Sequence, residues 1–174
     1  FSHNMNANFR TFNMDNQRSI FATVGGQLSR NNVSSKVTYD PTTGGRITRP
    51  ENINGNWSAN ANLGFNTALP NQSFTISTNT NARYNNSVQY FSQIGVNDGS
   101  SVKNATRTIN IGENLRGTYR NDWESGWGLE VSLTGNLNYQ HAMNDMQPDR
   151  NMETFMYTYG GSTNINFPWN MTLS

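Results

Sequence analysis

The sequence predicts an all-β fold, an antiparallel up-and-down meander of long strands, and three observations predict it. The first is alternation. From Trp127 to Tyr139 the odd positions read Trp127, Leu129, Val131, Leu133, Gly135, Leu137 and Tyr139, and the even ones Gly128, Glu130, Ser132, Thr134, Asn136 and Asn138. Side chains point to opposite faces with a period of two, so this segment has one apolar and one wholly polar face. The second is punctuation. Short turn signals near positions 15, 70, 124 and 169 alternate with longer polar connections near 44, 100 and 146, a hairpin repeat of roughly fifty residues. Soluble sandwiches place their turns about 8–12 residues apart.

The third observation is reach. At about 3.3 Å per residue, positions 127–139 extend roughly 40 Å, and a tilt of about 45° projects this to nearly 28 Å, the height of the apolar band of a transmembrane barrel. Trp127 and Tyr139 stand at its two ends, where such barrels carry aromatic girdles. A sandwich strand runs only about 5 or 6 residues. The expectation is therefore a segment of a large transmembrane β-barrel.

Composition agrees. Of the 174 residues only 33% are hydrophobic and 13% charged, which suits neither a thick two-layer core nor a highly charged coil. Asn, Ser, Thr and Gly carry the polar weight. The net charge of +1 gives no reason to expect a nucleic-acid partner. There is no cysteine, hence no disulfide or thiolate site. No apolar run of about 18 residues exists, which excludes helical spans and says nothing against barrel strands. The N-terminus, Phe1-Ser-His-Asn-Met5, lacks the basic-then-apolar pattern of a signal peptide, as expected of a mature chain or an internal fragment.

In chain order, residues 5–13 alternate imperfectly, with Met5, Ala7 and Phe9 opposite Asn6, Asn8 and Arg10, and the turn Met14-Asp-Asn-Gln17 follows. A second strand is predicted from Arg18 to Tyr39, its apolar face holding Ile20, Ala22, Val24 and Leu28; Phe21 falls on the polar side without a reason in the sequence. Residues 40–51, rich in Gly, Pro and charge, read as a polar connection. The third strand sets Ile53, Trp57, Ala59, Ala61, Leu63 and Phe65 against Asn52, Asn54, Asn56, Ser58, Asn60, Asn62 and Asn66. Asn has poor strand propensity, so a ladder of it makes sense as the lining of a wet lumen, where amides donate and accept without a field.

After the turn Leu69-Pro-Asn-Gln72, a fourth strand over 73–91 aligns Phe74, Ile76, Ala82, Tyr84, Val88 and Tyr90 against Asn79, Asn81 and Arg83. A loop is expected over about 95–105. The fifth strand, about 107–121, faces Ile109, Ile111, Leu115 and Tyr119 one way together with Glu113. A carboxylate there is unfavourable on a lipid face, and three explanations stand open: a position near a rim, a bulge, or a face against protein. The sixth strand is 127–139. Residues 141–151 form the third polar loop, 152–167 the seventh strand with Phe155, Tyr157, Tyr159, Ile165 and Phe167 on one side, and an eighth begins at Met171.

The whole, residues 1–174, thus reads as one outer-membrane β-barrel segment of about seven full strands and a partial eighth, incomplete at both ends, because an unclosed barrel leaves open edges. Short turns at one rim and long loops at the other match the bacterial outer-membrane arrangement of periplasmic turns and extracellular loops. The lumen-facing candidates are Asn54, Asn56, Asn60, Asn62, Arg83, Arg116, Asn136 and Asn138. The lipid-facing candidates are Trp57, Leu63, Phe65, Tyr84, Trp127, Leu129, Val131, Leu133, Leu137 and Tyr139.

The Asn-rich strands, the Asp-Asn, Leu69-Pro-Asn-Gln72 and Phe167-Pro-Trp-Asn170 turns, and the run from Gly160 to Leu173 resemble the barrel portion of Bacteroidota outer-membrane proteins of the TonB-dependent receptor type. The resemblance covers the whole chain and is one of style, without a diagnostic motif. It implies a large barrel, commonly of 22 strands, a plug inside it, and a segment that contacts the energy-transducing protein. It also implies uptake of a large nutrient across the cell outer membrane, with surrounding lipid, the rest of the barrel and a surface lipoprotein as partners.

Catalytic, cofactor and metal signals are sparse. His3 and His141 are far apart and lack metal spacing. The loop group His141, Asp145, Asp149 and Glu153 lacks the compact acidic spacing of a calcium loop. No Gly-x-Ser-x-Gly elbow or phosphate loop occurs, and Glu130 stands alone in its strand, so no enzyme and no cofactor are expected. Arg10, Arg83 and Arg116 fall on polar faces, where they line a lumen, grip a plug or are simply solvated. Two other readings remain open: a non-transporting outer-membrane scaffold for display, adhesion or secretion partners, and a soluble Asn-rich sandwich or solenoid in which the Trp57, Leu63 and Phe65 face meets a second sheet.

Overall fold

A computed structural model describes residues 1–14, 17–39, 42–69, 73–91, 101–168 and 171–173. Ten strands follow one another: β1 Ser2–Asn13, β2 Arg18–Ser29, β3 Asn32–Tyr39, β4 Arg46–Ile53, β5 Asn56–Ala68, β6 Phe74–Phe91, β7 Val102–Asp122, β8 Gly128–Asn144, β9 Met152–Phe167 and β10 Met171–Leu173. Eight form one open antiparallel sheet in the order β1-β2-β5-β6-β7-β8-β9-β10. The pair β3-β4 forms a sheet of its own. No helix among the described residues is long and apolar enough to cross a membrane, which bears only on helices.

The register turns the alternation of single strands into two continuous surfaces. Directly paired residues share a face, and one such row runs Ala7, Val24, Ala61, Ala82, Ile111, Tyr139, Phe155 across seven strands. A row on the other face runs Asn6, Gly25, Asn60, Arg83, Asn110, Gln140. The sorting runs across the sheet with exceptions, Phe12, Phe21 and Met156 standing on the polar face and Glu113 on the apolar one. The sheet is also a single layer: Trp57 is 42% and Leu133 65% exposed, and among the described residues no second sheet covers the apolar face. The rival reading, in which the Trp57, Leu63 and Phe65 face meets a second sheet, has no such sheet among the described residues.

Successive strands turn at opposite ends, so the β1-β2, β5-β6, β7-β8 and β9-β10 connections share one rim and the longer ones the other. The turns predicted at 14–17, 69–72 and 167–170 lie wholly or partly outside the described residues. The fourth, at residues 123–127, is tight: Trp123 N–H donates to Trp127 O over 2.8 Å and Gly126 N–H to Trp123 O over 3.0 Å.

Several predicted boundaries are corrected. The strand expected over 18–39 breaks at Arg30-Asn31, where Asn31 takes φ +54°, and continues as β3 in the separate sheet. The connection expected over 40–51 contains β4, which pairs with β3 along its whole length; Pro50 is tolerated because β4 is an edge strand. The third strand starts at Asn56, not at Ile53, since Gly55 at φ +115° separates them. A side chain at Gly55 would also meet Val88 Cγ2 at 2.9 Å, so both conformation and space demand glycine. Strands β7 and β8 run further toward the loop rim than predicted, taking in 102–106 and 140–144; residues 92–100 of the expected loop lie outside the described ones. A single 3-10 turn, Pro148–Arg150, occupies the third loop.

The β3-β4 hairpin folds down against the loop end of β6 and β7. Ile53 at its base is only 1% exposed, and Val37 is also buried. The Ser101 hydroxyl and backbone hold both polar groups of the Val37 backbone, with Val37 N–H donating to Ser101 Oγ over 2.7 Å and Ser101 N–H to Val37 O over 2.9 Å.

Candidate functional site

The polar face is the broadest arrangement of chemistry in the molecule. Most of its side chains are uncharged. In the register, Asn60, Asn62, Arg83, Arg116, Asn136 and Asn138 all stand on it. Asn62 and Asn79 exchange amide hydrogen bonds of 3.5 and 3.2 Å. Arg116 Nη2 donates to Ser132 Oγ over 3.4 Å. Asn56 and Asn54 do other work at the loop end. Asn56 Oδ1 accepts the Val88 N–H over 2.7 Å, and Asn54, which lies outside the eight-stranded sheet, accepts the Asn31 N–H over 2.7 Å and so ties the two joints of the hairpin together.

Charge on this face is uneven. Its cations are Arg10, Arg83, Arg116 and Arg120, while its described carboxylates, Asp122 and Glu130, sit at the turn end and Arg120 already pairs with Asp122 at 3.0 Å. The middle of the face is therefore cationic. Two concavities open there. One of about 490 Å³ lies over Gly25 and reaches Arg83. The other, about 430 Å³, lies between Phe21 and Arg116.

Phe21, unexplained by the sequence, has its reason in Gly64. A Cβ on Gly64 would lie 1.9 Å from the Phe21 ring, so the ring occupies the space that a side chain would fill. Gly64 is directly opposite Phe21 in the register. The signal was present in the sequence as an aromatic and a glycine in adjacent strands, legible only once the register is known.

Comparison with protein-family models, curated proteins and solved structures gave no match. The functional reading therefore stands on this geometry and on the sequence.

The apolar face holds Trp57, Leu63, Phe65, Tyr84, Leu129, Val131, Leu133, Leu137 and Tyr139. Its aromatic residues are spread along the strands: Phe9, Phe65, Tyr157 and Tyr159 stand in its middle rows, and Tyr139, expected at a strand end, shares a row with Ala61, Ala82 and Ile111 because β8 continues to Asn144. Trp57 stacks on Tyr84 with centroids 4.7 Å apart near the loop rim, and Trp127 meets Phe167 edge-on at 4.9 Å near the turn rim. Between the rims sits Glu113. Its carboxylate accepts hydrogen bonds from the hydroxyls of Thr78 and Thr80 on the adjacent strand. Pairing is unbroken on both sides, Glu113 with Thr80 and with Leu137, so there is no bulge, and its row lies between the Tyr84/Ile109 and Phe74/Tyr119 pairs, away from either rim. Two donors offset the desolvation of the charge. The two threonines were readable as breaks in the apolar face of β6 and went unconnected to Glu113.

At the loop rim, Lys36 Nζ lies 2.9 Å from Glu51 Oε2, and the Tyr90 hydroxyl donates to Glu51 Oε1 over 3.0 Å. Hydrogen bonding and charge from Glu51 raise the Lys36 pKa, and hydrogen bonds from Lys36 and Tyr90 lower that of Glu51. The group His141, Asp145, Asp149 and Glu153 is split by other partners. Asp145 pairs with Arg107 at 3.2 Å, Glu153 accepts the Tyr139 hydroxyl over 3.1 Å, and His141 stacks on Tyr139.

Proposed function

We propose that this chain is wall and extracellular loops of a bacterial outer-membrane β-barrel, within a receptor or transporter that takes up a large nutrient by TonB-dependent transport. The observation that carries the membrane part is the exposed apolar face that runs across the sheet, with side chains such as Leu133 and Tyr159 open to the surroundings. A soluble monomer rarely leaves a patch of more than about 300–600 Å² open to water, and such a face is what lipid requires. On this reading the polar face lines the lumen and Asn60, Asn62, Arg83, Arg116, Asn136 and Asn138 are wetted from inside. Further strands join at β1 and β10, because a membrane tolerates no open edge.

The transport part rests on the resemblance in sequence style and on the alternation of short turns at one end of the strands with longer connections at the other. Loops capture the ligand, a plug blocks the lumen, and an inner-membrane energy transducer moves the plug. A scaffold that displays its loops to a surface partner is the second reading, favoured by the ordered β3-β4 hairpin.

The deciding experiment places a fluorescent reporter through Leu133→Cys or Thr134→Cys in reconstituted protein with lipid-attached quenchers. Strong quenching at 133 and little at 134 is expected; equal, weak quenching at both overturns the membrane reading. For transport, deletion of residues 145–150 lowers uptake by the polypeptide carrying this chain, and unchanged uptake moves the reading to the scaffold.

A further inference from the structure

The concavity over Gly25 is built from adjacent register positions. Asn6, Gly25, Asn60 and Arg83 are one row across β1, β2, β5 and β6, and Gln27 and Ser58 pair in the next row. Gly25 makes the hollow possible. A Cβ there would come within 2.8 Å of Asn60 Oδ1, so only the bare backbone lets the Asn60 amide lie across β2 and leaves the space of about 490 Å³ open.

Arg83 supplies the charge. It is exposed, forms no ion pair or hydrogen bond within the described residues, and its direct partners on either side are Asn60 and Asn110. No carboxylate occupies any neighbouring position on that face: the diagonal residues are Ser58, Asn62, Thr108 and Gly112, and Asn81 and Asn85 flank it along β6. Lys36, Arg107 and Arg120 form the ion pairs among the described residues, and Arg83 is one of the cations left without a carboxylate. An unpaired guanidinium beside a hollow is a fork of five donors matched to a planar or tetrahedral oxyanion. The surrounding carboxamides and the Ser58 hydroxyl donate and accept in equal measure, which suits hydroxyl groups.

We propose that the hollow over Gly25 binds a polyhydroxylated solute bearing an oxyanion, a carboxylate or phosphate, with Arg83 as its anchor and Asn6, Gln27, Ser58 and Asn60 on its hydroxyls. The site is independent of the lipid assignment. Its ligand chemistry is the same whether the face lines a lumen or open water.

The test is isothermal titration of the polypeptide carrying this chain, in detergent micelles, with gluconate, with sorbitol as the polyol that lacks the carboxylate, and with glucose 6-phosphate as the phosphate source. Gluconate binds at least about tenfold more tightly than sorbitol, the difference one charge-assisted bidentate contact makes. Binding of glucose 6-phosphate alone, in place of gluconate, assigns the oxyanion to phosphate and supports the site. Arg83→Gln removes the preference for the anion, Arg83→Lys restores part of it, and Gly25→Val abolishes binding with strand circular dichroism unchanged. Arg116→Gln, in the other hollow, leaves binding within about twofold. Equal affinity for gluconate, glucose 6-phosphate and sorbitol, or full binding by Arg83→Gln, overturns the proposal. The lipid-quenching contrast between positions 133 and 134, read on the same preparation, fails or succeeds separately.

Discussion

The wall and the β3-β4 hairpin are made of the same chain by opposite rules. The sheet leaves large apolar residues on a bare face, Leu133 among them at 65% exposure, while the hairpin buries Ile53 to 1% and is held by the Lys36–Glu51 ion pair and the bonds between Val37 and Ser101. The hairpin buries a core residue of its own, and on the proposed membrane reading the sheet finds its apolar surroundings in lipid. The difference teaches where stability resides. For the wall it lies in the match between face and solvent, and for the hairpin in specific contacts at its base and flank.

The largest test of that contrast sets Leu133→Arg against Thr134→Arg in lipid vesicles. The first is expected to cost about 2–4 kcal/mol and the second far less, read from urea midpoints. Equal effects would mean that the two faces meet the same solvent. Next comes Gly64→Ala, whose new methyl displaces the Phe21 ring and costs about 1–2 kcal/mol. The double variant with Phe21→Ala recovers most of this, and strict additivity would separate the ring from the glycine. Ile53→Val follows, at about 0.5–1.5 kcal/mol, and its effect is confined to the hairpin. Amide exchange there quickens while wall amides of β7 and β8 keep their protection, and a uniform loss would make the hairpin part of the wall.

The smallest effect is one of pH. Glu51 has a pKa below its ordinary 4.5, so its contribution is present above that value and fades as pH falls through the lowered one; Lys36 sits above its ordinary 10.5, and its share persists below that value and is lost as pH rises through the raised one. Hairpin docking is therefore constant through neutrality and loosens at both extremes. A label on Thr48 whose mobility is unchanged between neutral and strongly acid pH would remove the Glu51 contacts from the account.

Much of this contrast is legible in the sequence because a period of two survives wherever the two faces of a strand differ in character. Alternation and turn signals together place β6 and β9 to within a residue and the start of β10 at Met171, while β1 begins at Ser2, three residues before the predicted start, because its alternation is imperfect. Strand β4 was hidden for the converse reason. Both its faces are polar except at Ile47 and Ile53, it contains Pro50, and it pairs with a partner whose own alternation made it look like a continuation of β2. The break at Asn31 leaves no mark in hydropathy, only a residue type that tolerates a positive φ. The hollow over Gly25 was legible only as Gly25-Gly26, since its walls come from strands far apart in the sequence. Register is what joins them.

The hairpin also bears on the order in which the sheet is made. Every neighbour pair in the wall except one joins strands consecutive in the chain; the exception is β2 with β5, which must meet across residues 30–55. Bringing the ends of a loose segment together costs entropy that grows with the logarithm of its length. A detour that first zips itself, β3 onto β4, draws its own ends together, and Asn54 fastens them to Asn31. Hairpins close within about 1–10 μs. The longest leap in the sheet is thereby reduced to a short step, and the wall grows by adding nearest neighbours from one side to the other.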